Sequence, residues 1–264
     1  MSTAVDLYLE ERRQAILADL ARDGRVTVAE LSRRFGVSEV TIRSDLQALA
    51  EQGLVVRTHG GAVPGRTGVH DLALAARRTR RVAEKERIGA AAAALVPDGA
   101  AVFLDSSSTS LEIARRLKAH RHTTILTNSL AVAQEMLDAS GVRVVMSGGA
   151  LQPETASLIG ADAATWFGRF NIQFGFFGAH GISDPEGLTD VSLEQAEVKR
   201  PLVQMCRQVV AVVDSSKWGQ VGVASFAELA AIDTVITDAH APAEEMAALR
   251  AHGIDIQIAS SSHA

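Results

Sequence analysis

From about residue 84 onward, short apolar runs alternate with helical patterns. Runs of strand length fall at 100–104, 124–127, 142–146, 174–177, 208–213 and 234–237. Helical stretches at 108–119, 129–139, 156–168, 193–207 and 243–252 separate most of them. A helix between two strands carries the chain back to the end where the first strand began, so successive strands run the same way. The pattern predicts a mainly parallel sheet covered by helices on both faces. Hydrophobic residues are 47% of the chain and aromatic residues only 4%, so Ala, Val, Leu and Ile must fill most of that core.

A parallel sheet gathers the carboxyl ends of its strands along one edge, and ligands bind there. Five of the six runs lead into Asp105-Ser106-Ser107-Ser108-Thr109-Ser110, Thr127-Asn128-Ser129, Ser147-Gly148-Gly149, Gly178-Ala179-His180-Gly181 and Asp214-Ser215-Ser216-Lys217, and the sixth ends in Thr237-Asp238. Any one of these has an ordinary reading as a turn. Their convergence predicts a single pocket.

The stretch "FLDSSSTSLEIARRL", 103–117, has three readings: a serine nucleophile, a phosphate cradle or a polar turn. A serine nucleophile needs a base within hydrogen-bond reach and a strained elbow. The chain contains no Gly-x-Ser-x-Gly, and His180 is the only histidine expected at the pocket edge. The stretch runs straight into a helix, whose first amides offer donors and positive potential to an anion. Hydroxyls can add to them, so the phosphate cradle is the reading adopted. Lys199, in the helix expected over 193–207, or Lys217, in the fifth polar end, would bring the counter-charge, and Asp105 would serve the ligand's hydroxyls or orient the loop.

The front of the chain is different. Residues 1–87 hold 15 Lys and Arg against 12 Asp and Glu, and residues 88–264 hold 11 against 19. A basic front suits a polyanion partner. Leu9, Arg13, Ile16, Leu17 and Leu20 mark a first helix over 5–23, ended by Gly24. Thr27 and Glu30 form a capping box for a second, which stops at Gly36. Ser38 caps a third, in which Ile42, Leu46 and Leu49 make the buried stripe. This is a helix-turn-helix arrangement. Glu39, Thr41, Arg43, Ser44 and Gln47 face away from the stripe, in the turns that enter the major groove in such motifs. "LVVRTHGGAV" then reads as a wing, with Arg57 and His59 in reach of the DNA backbone or minor groove. The expected DNA-contacting set is Ser38, Thr41, Arg43, Ser44, Gln47, Arg57 and His59.

"VSEVTIRSDLQALAEQGLVVRTHGGA" resembles the N-terminal signature of the DeoR family of bacterial transcription regulators, and the resemblance covers essentially the whole chain. It implies a winged helix-turn-helix followed by an α/β sensor domain similar in fold to sugar-phosphate isomerases. It also implies that the loop at Asp105, typically Asp-x-Gly-Thr-Thr in the family, lines a site for a phosphorylated sugar or related metabolite. "GLTDVSLEQAEVKR" (187–200) and "DSSKWG" (214–219) are further matches, and they bring Lys199, Asp214 and Lys217 to the pocket. The chain departs from the family at Ser44, where a second arginine is usual, at Ser107, where Gly is frequent, and at Gln195, where an acidic residue is common. If position 107 needs a positive φ, a serine there is strained.

The expected organisation is a DNA-binding domain over 1–63, a linker over 64–83 and an effector-sensing domain over 84–264. The basic run "ARRTRR" at 76–81 reads as a solvated linker or helix face that relays between domains, with a direct DNA contact beside the wing as the alternative. The expected effector set is Asp105, Ser106, Ser107, Ser108, Thr109, Ser110, Asn128, Ser129, Gly148, Gly149, Gly178, His180, Gly181, Lys199, Asp214 and Lys217. No metal or cofactor is expected: Cys206 stands alone, His and Asp do not cluster at ligand spacing, and there is no Gly-x-x-x-x-Gly-Lys loop. No apolar run approaches the roughly 20 residues of a membrane span, and the N-terminus lacks a signal-peptide core, so a cytoplasmic place is expected. The expected function is a repressor of carbohydrate-metabolism genes released by a phosphorylated sugar. Its partners are double-stranded operator DNA, the effector and at least one further copy of the chain. An activator or dual regulator, or an isomerase-like enzyme using Asp105, Glu194, Glu197 and Lys199, are the alternatives.

Overall fold

The computed structural model describes residues 9–260, apart from 24, 52–53, 59, 65–73 and 161–162. The expected roles of Gly24 and His59 lie outside them. Two units divide between Asp71 and Leu72.

In the first unit, α1 (Leu9–Asp23) buries Ile16 and Leu20 and leaves Leu9 exposed. After β1 (Val26–Thr27) comes α2 (Val28–Phe35). The capping box at its start is complete: the Thr27 hydroxyl accepts from the Glu30 amide at 3.2 Å, and the Glu30 carboxylate accepts from the Thr27 amide at 3.3 Å. Gly36, at φ 66°, ends the helix in the left-handed conformation that favours glycine. In α3 (Glu39–Glu51), Ile42, Leu46 and Leu49 are buried as expected. Each such side chain contributes about 1.5–3 kcal/mol on burial. The wing is β2 (Val55–Thr58) and β3 (Gly61–Pro64), paired antiparallel. β1 adds to the far side of β3, a third strand the sequence reading missed. Gly61 permits it: a Cβ there would stand 1.9 Å from the Val26 carbonyl oxygen.

Asp45 is the second feature not anticipated. It sits on α3 beside the apolar stripe, 1% exposed, and accepts from Arg12 at 2.7 Å and Arg13 at 3.1 Å. Its two oxygens tie α3 to α1.

The second unit begins with α4 (Leu74–Arg78) and α5 (Val82–Ala94). Next come β4 (Ala101–Leu104), α6 (Ser108–Leu117), β5 (Thr123–Thr127), α7 (Leu130–Glu135) and β6 (Val142–Met146). A hairpin of β7 (Ala150–Gln152) and β8 (Ser157–Ile159) and a short α8 (Ala163–Phe167) lead to β9 (Ile172–Phe177). The remainder is β10 (Gly181–Ser183), β11 (Gly187–Asp190), α9 (Leu193–Met205), β12 (Cys206–Val212), β13 (Ala224–Ala227), β14 (Thr234–Thr237), α10 (Ala243–Ala251) and β15 (Asp255–Ile258).

Seven strands form one parallel sheet in the order β15-β14-β12-β9-β4-β5-β6. All six expected strands are in it. β15 was missed because its alternation of Asp255 and Gln257 with two isoleucines reads weakly, as suits an edge strand. Neighbouring residues serve opposite faces: Phe103 and Phe177 pack with Phe167 and Leu202 on one, Leu104 and Phe176 with Ile88, Ile113 and Leu117 on the other. Helices therefore cover both faces.

The helix expected over 156–168 is a correction. Ser157–Ile159 of that stretch is strand β8, turned back on β7 after Thr155, and Ala163–Phe167 is helical. Leu158 and Ile159 supply the apolar positions of either pattern. The hairpin wins because Gly149, at φ 129°, lets its backbone approach Ile159, where a Cβ would stand 2.3 Å from the carbonyl oxygen. A second small sheet, β10-β11-β13, was also not anticipated. Among the described residues no helix is long and apolar enough to cross a membrane.

Candidate functional site

The chain leaves β4 toward β5 and β6, then returns to place β9 on β4's other side and continues outward. This reversal opens a crevice at the carboxyl ends of β4 and β9, where ligands bind in open α/β sheets. Asp105 and Gly178 are the first residues beyond those two strands.

Asp105 is fully buried. One carboxylate oxygen accepts from the Ser107 amide at 3.0 Å and the Ser110 hydroxyl at 2.6 Å. The other accepts from the Gly178 amide at 2.9 Å and lies 2.9 Å from the Lys199 ammonium. Burial alone would raise its pKa, but Lys199 and the hydrogen bonds from Ser107 and Ser110 outweigh that and hold it below the ordinary value. Of the two roles expected for Asp105, the geometry fits orienting the loop. Gly178 is required beside it, since a Cβ would stand 2.4 Å from that of Ser107.

Lys199 is committed as well. Besides Asp105 it reaches Asp190 at 2.9 Å and donates to the Gly178 carbonyl at 2.8 Å, and it lies 4.8 Å from the centre of the Phe226 ring. Burial opposes its charge, yet Asp105 and Asp190 together raise its pKa. With three partners for three protons, it has none left for an effector. The expectation that Lys199 supplies the counter-charge is corrected on that ground.

Ser107 caps α6 at φ −78°, so serine is unstrained where the family frequently has glycine. Its hydroxyl accepts from the Ser110 amide at 3.1 Å and donates to the Ser110 hydroxyl at 3.0 Å. The Leu111 amide bonds the Ser107 carbonyl. Ser108 and Thr109 remain. Both are 5% exposed, and among the described residues neither their amides nor their hydroxyls have a hydrogen-bond partner. Four donors at a helix start are unspent.

Ser106 donates to Gln195 at 3.2 Å. The buried Gln195 amide in turn reaches Ser157 at 2.9 Å, Thr155 at 3.2 Å and Gln152. This neutral cluster was missed because 156–168 was read as helix. Asn128 donates to the Leu158 carbonyl at 3.2 Å, while its side-chain oxygen and the Ser147 hydroxyl are buried without partners among the described residues. Ser129 is spent capping α7 through the Val132 amide. Gly148 is exposed, and a Cβ added to it would meet open space. His180 is half-buried, its amide bonded to the Thr189 carbonyl. Gly181 serves packing, for a Cβ would stand 1.8 Å from the Gln220 carbonyl oxygen. Asp214 accepts from the Ser216 amide and hydroxyl, and Lys217 ends the following turn half-exposed.

On the first unit, Arg43, Ser44 and Gln47 are exposed along α3. Arg43 bonds Glu39 one turn back at 2.7 Å, and Arg57 reaches from β2 to Gln47 at 2.7 Å. Ser38 and Thr41 share a hydrogen bond of 2.9 Å, and Ser38 also accepts from the Thr41 amide at 3.1 Å. Their hydroxyls are thus engaged in the cap. Val40, 72% exposed in the first turn, was overlooked because it is apolar.

Two family models match: a DeoR-like helix-turn-helix domain over residues 12–65 and a DeoR C terminal sensor domain over residues 80–239. The chain is 32% identical over 252 residues to the glycerol-3-phosphate regulon repressor of Escherichia coli (strain K12), covering 94% of this chain and 98% of that one. It is 35% identical over 232 residues to the HTH-type transcriptional repressor GlcR of Bacillus subtilis (strain 168), with 88% and 89% covered. Among solved structures, ribose 5-phosphate isomerase A from Methanocaldococcus jannaschii shows a slight likeness, with a TM-score of 0.38 and 16% identity over 51% of this chain and 53% of that one.

Proposed function

Because the chain belongs to the DeoR family of transcriptional regulators, we propose that it represses carbohydrate-metabolism genes and is released from its operator by a phosphorylated sugar or related metabolite. Its family is one of regulators, with a DNA-binding unit in front and a sensor behind, and not one of enzymes. In this reading residues 1–63 bind DNA, 84–264 sense the effector and 64–83 join them, in a cytoplasmic protein. At least two copies assemble, since helix-turn-helix proteins usually read paired half-sites. Arg43, Ser44 and Gln47 address base edges, Arg57 addresses phosphate, and Val40 is placed for a thymine methyl.

One observation carries the sensor reading. The loop from Asp105 to Ser110 is held rigidly by its own carboxylate and cap, yet it leaves the amides and hydroxyls of Ser108 and Thr109 unspent in the crevice. Preformed donors at a helix start suit an anion. Lys217 stands half-buried at the same edge of the sheet, and it takes over the counter-charge role that Lys199 cannot fill. The neutral cluster at Gln195 suits sugar hydroxyls.

Thermal-shift titration against phosphorylated sugars, with the free sugars as controls, tests the reading. A ligand that binds the folded state raises its apparent stability by mass action. One or a few phosphorylated compounds should stabilise the protein, return chemically unchanged and weaken operator binding. Stabilisation by free sugars alone, or turnover at the roughly 10 s⁻¹ of a median enzyme, would overturn it.

A further inference from the structure

The segment 74–81 lies along the carboxyl edge of the sheet. At its start, the amide of the buried Leu74 donates to the Glu154 carbonyl at 2.8 Å, in the turn between β7 and β8. In its middle, the Arg77 guanidinium comes within 3.5 Å of the Ser106 carbonyl, at the head of the loop that holds Ser108 and Thr109. At its end, Arg81 donates to the Ser215 hydroxyl at 3.0 Å and lies 3.7 Å from Asp214, in the loop after β12. Lys85 fastens it from below, donating to the Arg77 and Arg80 carbonyls at 2.6 Å each.

Two features mark this strap as poised rather than settled. Arg81 takes a left-handed φ of 50°, a conformation that strains a residue bearing a Cβ. Cations also crowd here. Burial first, and then repulsion from Lys217, Arg77 and Arg80, push the Lys85 pKa down to about 8 despite the attraction of Asp214. An anion at this edge would relieve that repulsion.

We propose that Arg77, carried on this strap, joins Lys217 as a cationic ligand of the effector's anion, and that the contacts of Arg81 with Ser215 and Asp214 latch the strap over the site. The proposal rests on the reading that the anion sits at Ser108 and Thr109. It adds the means of output, because the strap continues along the backbone toward the DNA-binding unit.

Inorganic phosphate serves as the probe, with chloride at equal ionic strength as control, on the full chain. Phosphate should stabilise the wild type and protect the bonds after Arg78 and Arg80 from trypsin. Arg77→Gln should raise the apparent Kd for phosphate tenfold or more, and Arg77→Lys should restore most of it. Arg81→Gln should change the Kd less than threefold but remove the protection. Both Gln variants should bind operator normally without phosphate. If Arg77→Gln binds phosphate like the wild type while Ser108→Ala/Thr109→Ala does not, the strap proposal falls and the cradle stands. If the wild type gains nothing from phosphate, the cradle falls and the strap with it.

Discussion

The helices α3 and α6 begin in nearly the same way and face different partners. Each has a serine cap, Ser38 or Ser107, whose hydroxyl accepts from the amide three residues on at 3.1 Å. Ser38 stands in water, whereas Ser107 is 7% exposed with the Asp105 carboxylate behind it. The same local rule thus produces a protruding helix start that can enter a groove and a recessed one that can enclose a small anion. What separates them is the element before the cap. A turn at Gly36 precedes α3, and a buried strand precedes α6.

The largest effect should come from removing that backing. Asp105→Ala would leave Lys199 and Gly178 short of a partner deep in the fold, where breaking a buried pair costs about 3–5 kcal/mol. Asp45→Ala should cost less, because the side chains of Arg12 and Arg13 keep 10% and 17% of their exposure. Urea unfolding would rank the two, and equal losses would break the comparison. Low pH offers a milder version. The folded pKa of Asp105 lies below its ordinary value, so its contribution is present at neutral pH and fades as pH falls through the ordinary carboxyl range and below. That acid loss should be missing from Asp105→Asn.

Replacing Ser108 and Thr109 together by Ala should weaken effector binding by a few kcal/mol, each hydrogen bond to a charged group being worth about 1.5–3 kcal/mol. Operator binding without effector should persist, producing a repressor that cannot be induced. Release from DNA at the wild-type effector concentration would reduce the recessed helix start to a polar turn.

On the protruding helix, Arg43→Ala should cost about 1–3 kcal/mol on operator and little on scrambled duplex, as for a bidentate base contact. Arg57→Ala should weaken both alike and lower the salt slope by about one unit. Fluorescence anisotropy on the two duplexes separates these outcomes, and a folded Arg43 variant with unchanged binding would remove α3 from the reading role. The smallest effect is the exposed cap itself. Ser38→Ala should lower stability by about 1 kcal/mol, and a loss as large as that of Ser107→Ala would erase the distinction between the two starts.

Much of this was legible in the sequence because it is local. The Thr27–Glu30 box, the stripe of Ile42, Leu46 and Leu49, and the polar ends of six strands need only short spacings to recognise. What escaped depends on distant partners. The β1 strand exists because Gly61 lets Val26 approach, and the hairpin at Thr155 because Gly149 lets Ile159 do so. Lys199 was legible as a cation at the pocket, but its commitment to Asp105, Asp190 and the Gly178 carbonyl was not. For the same reason Ser107 could only be weighed against a glycine until its φ was known.

The pairing of Asp45 with Arg12 and Arg13 bears on how such a regulator could change its target over generations. Asp45 fixes the rotation of α3 about its own axis from the inner side, so the outward residues keep their bearing whatever they are. Ser44 is its immediate neighbour in the chain and points to solvent. Substitutions at positions 40, 43, 44 and 47 can therefore be tried almost independently of folding. The address can drift while the reading head stays in place.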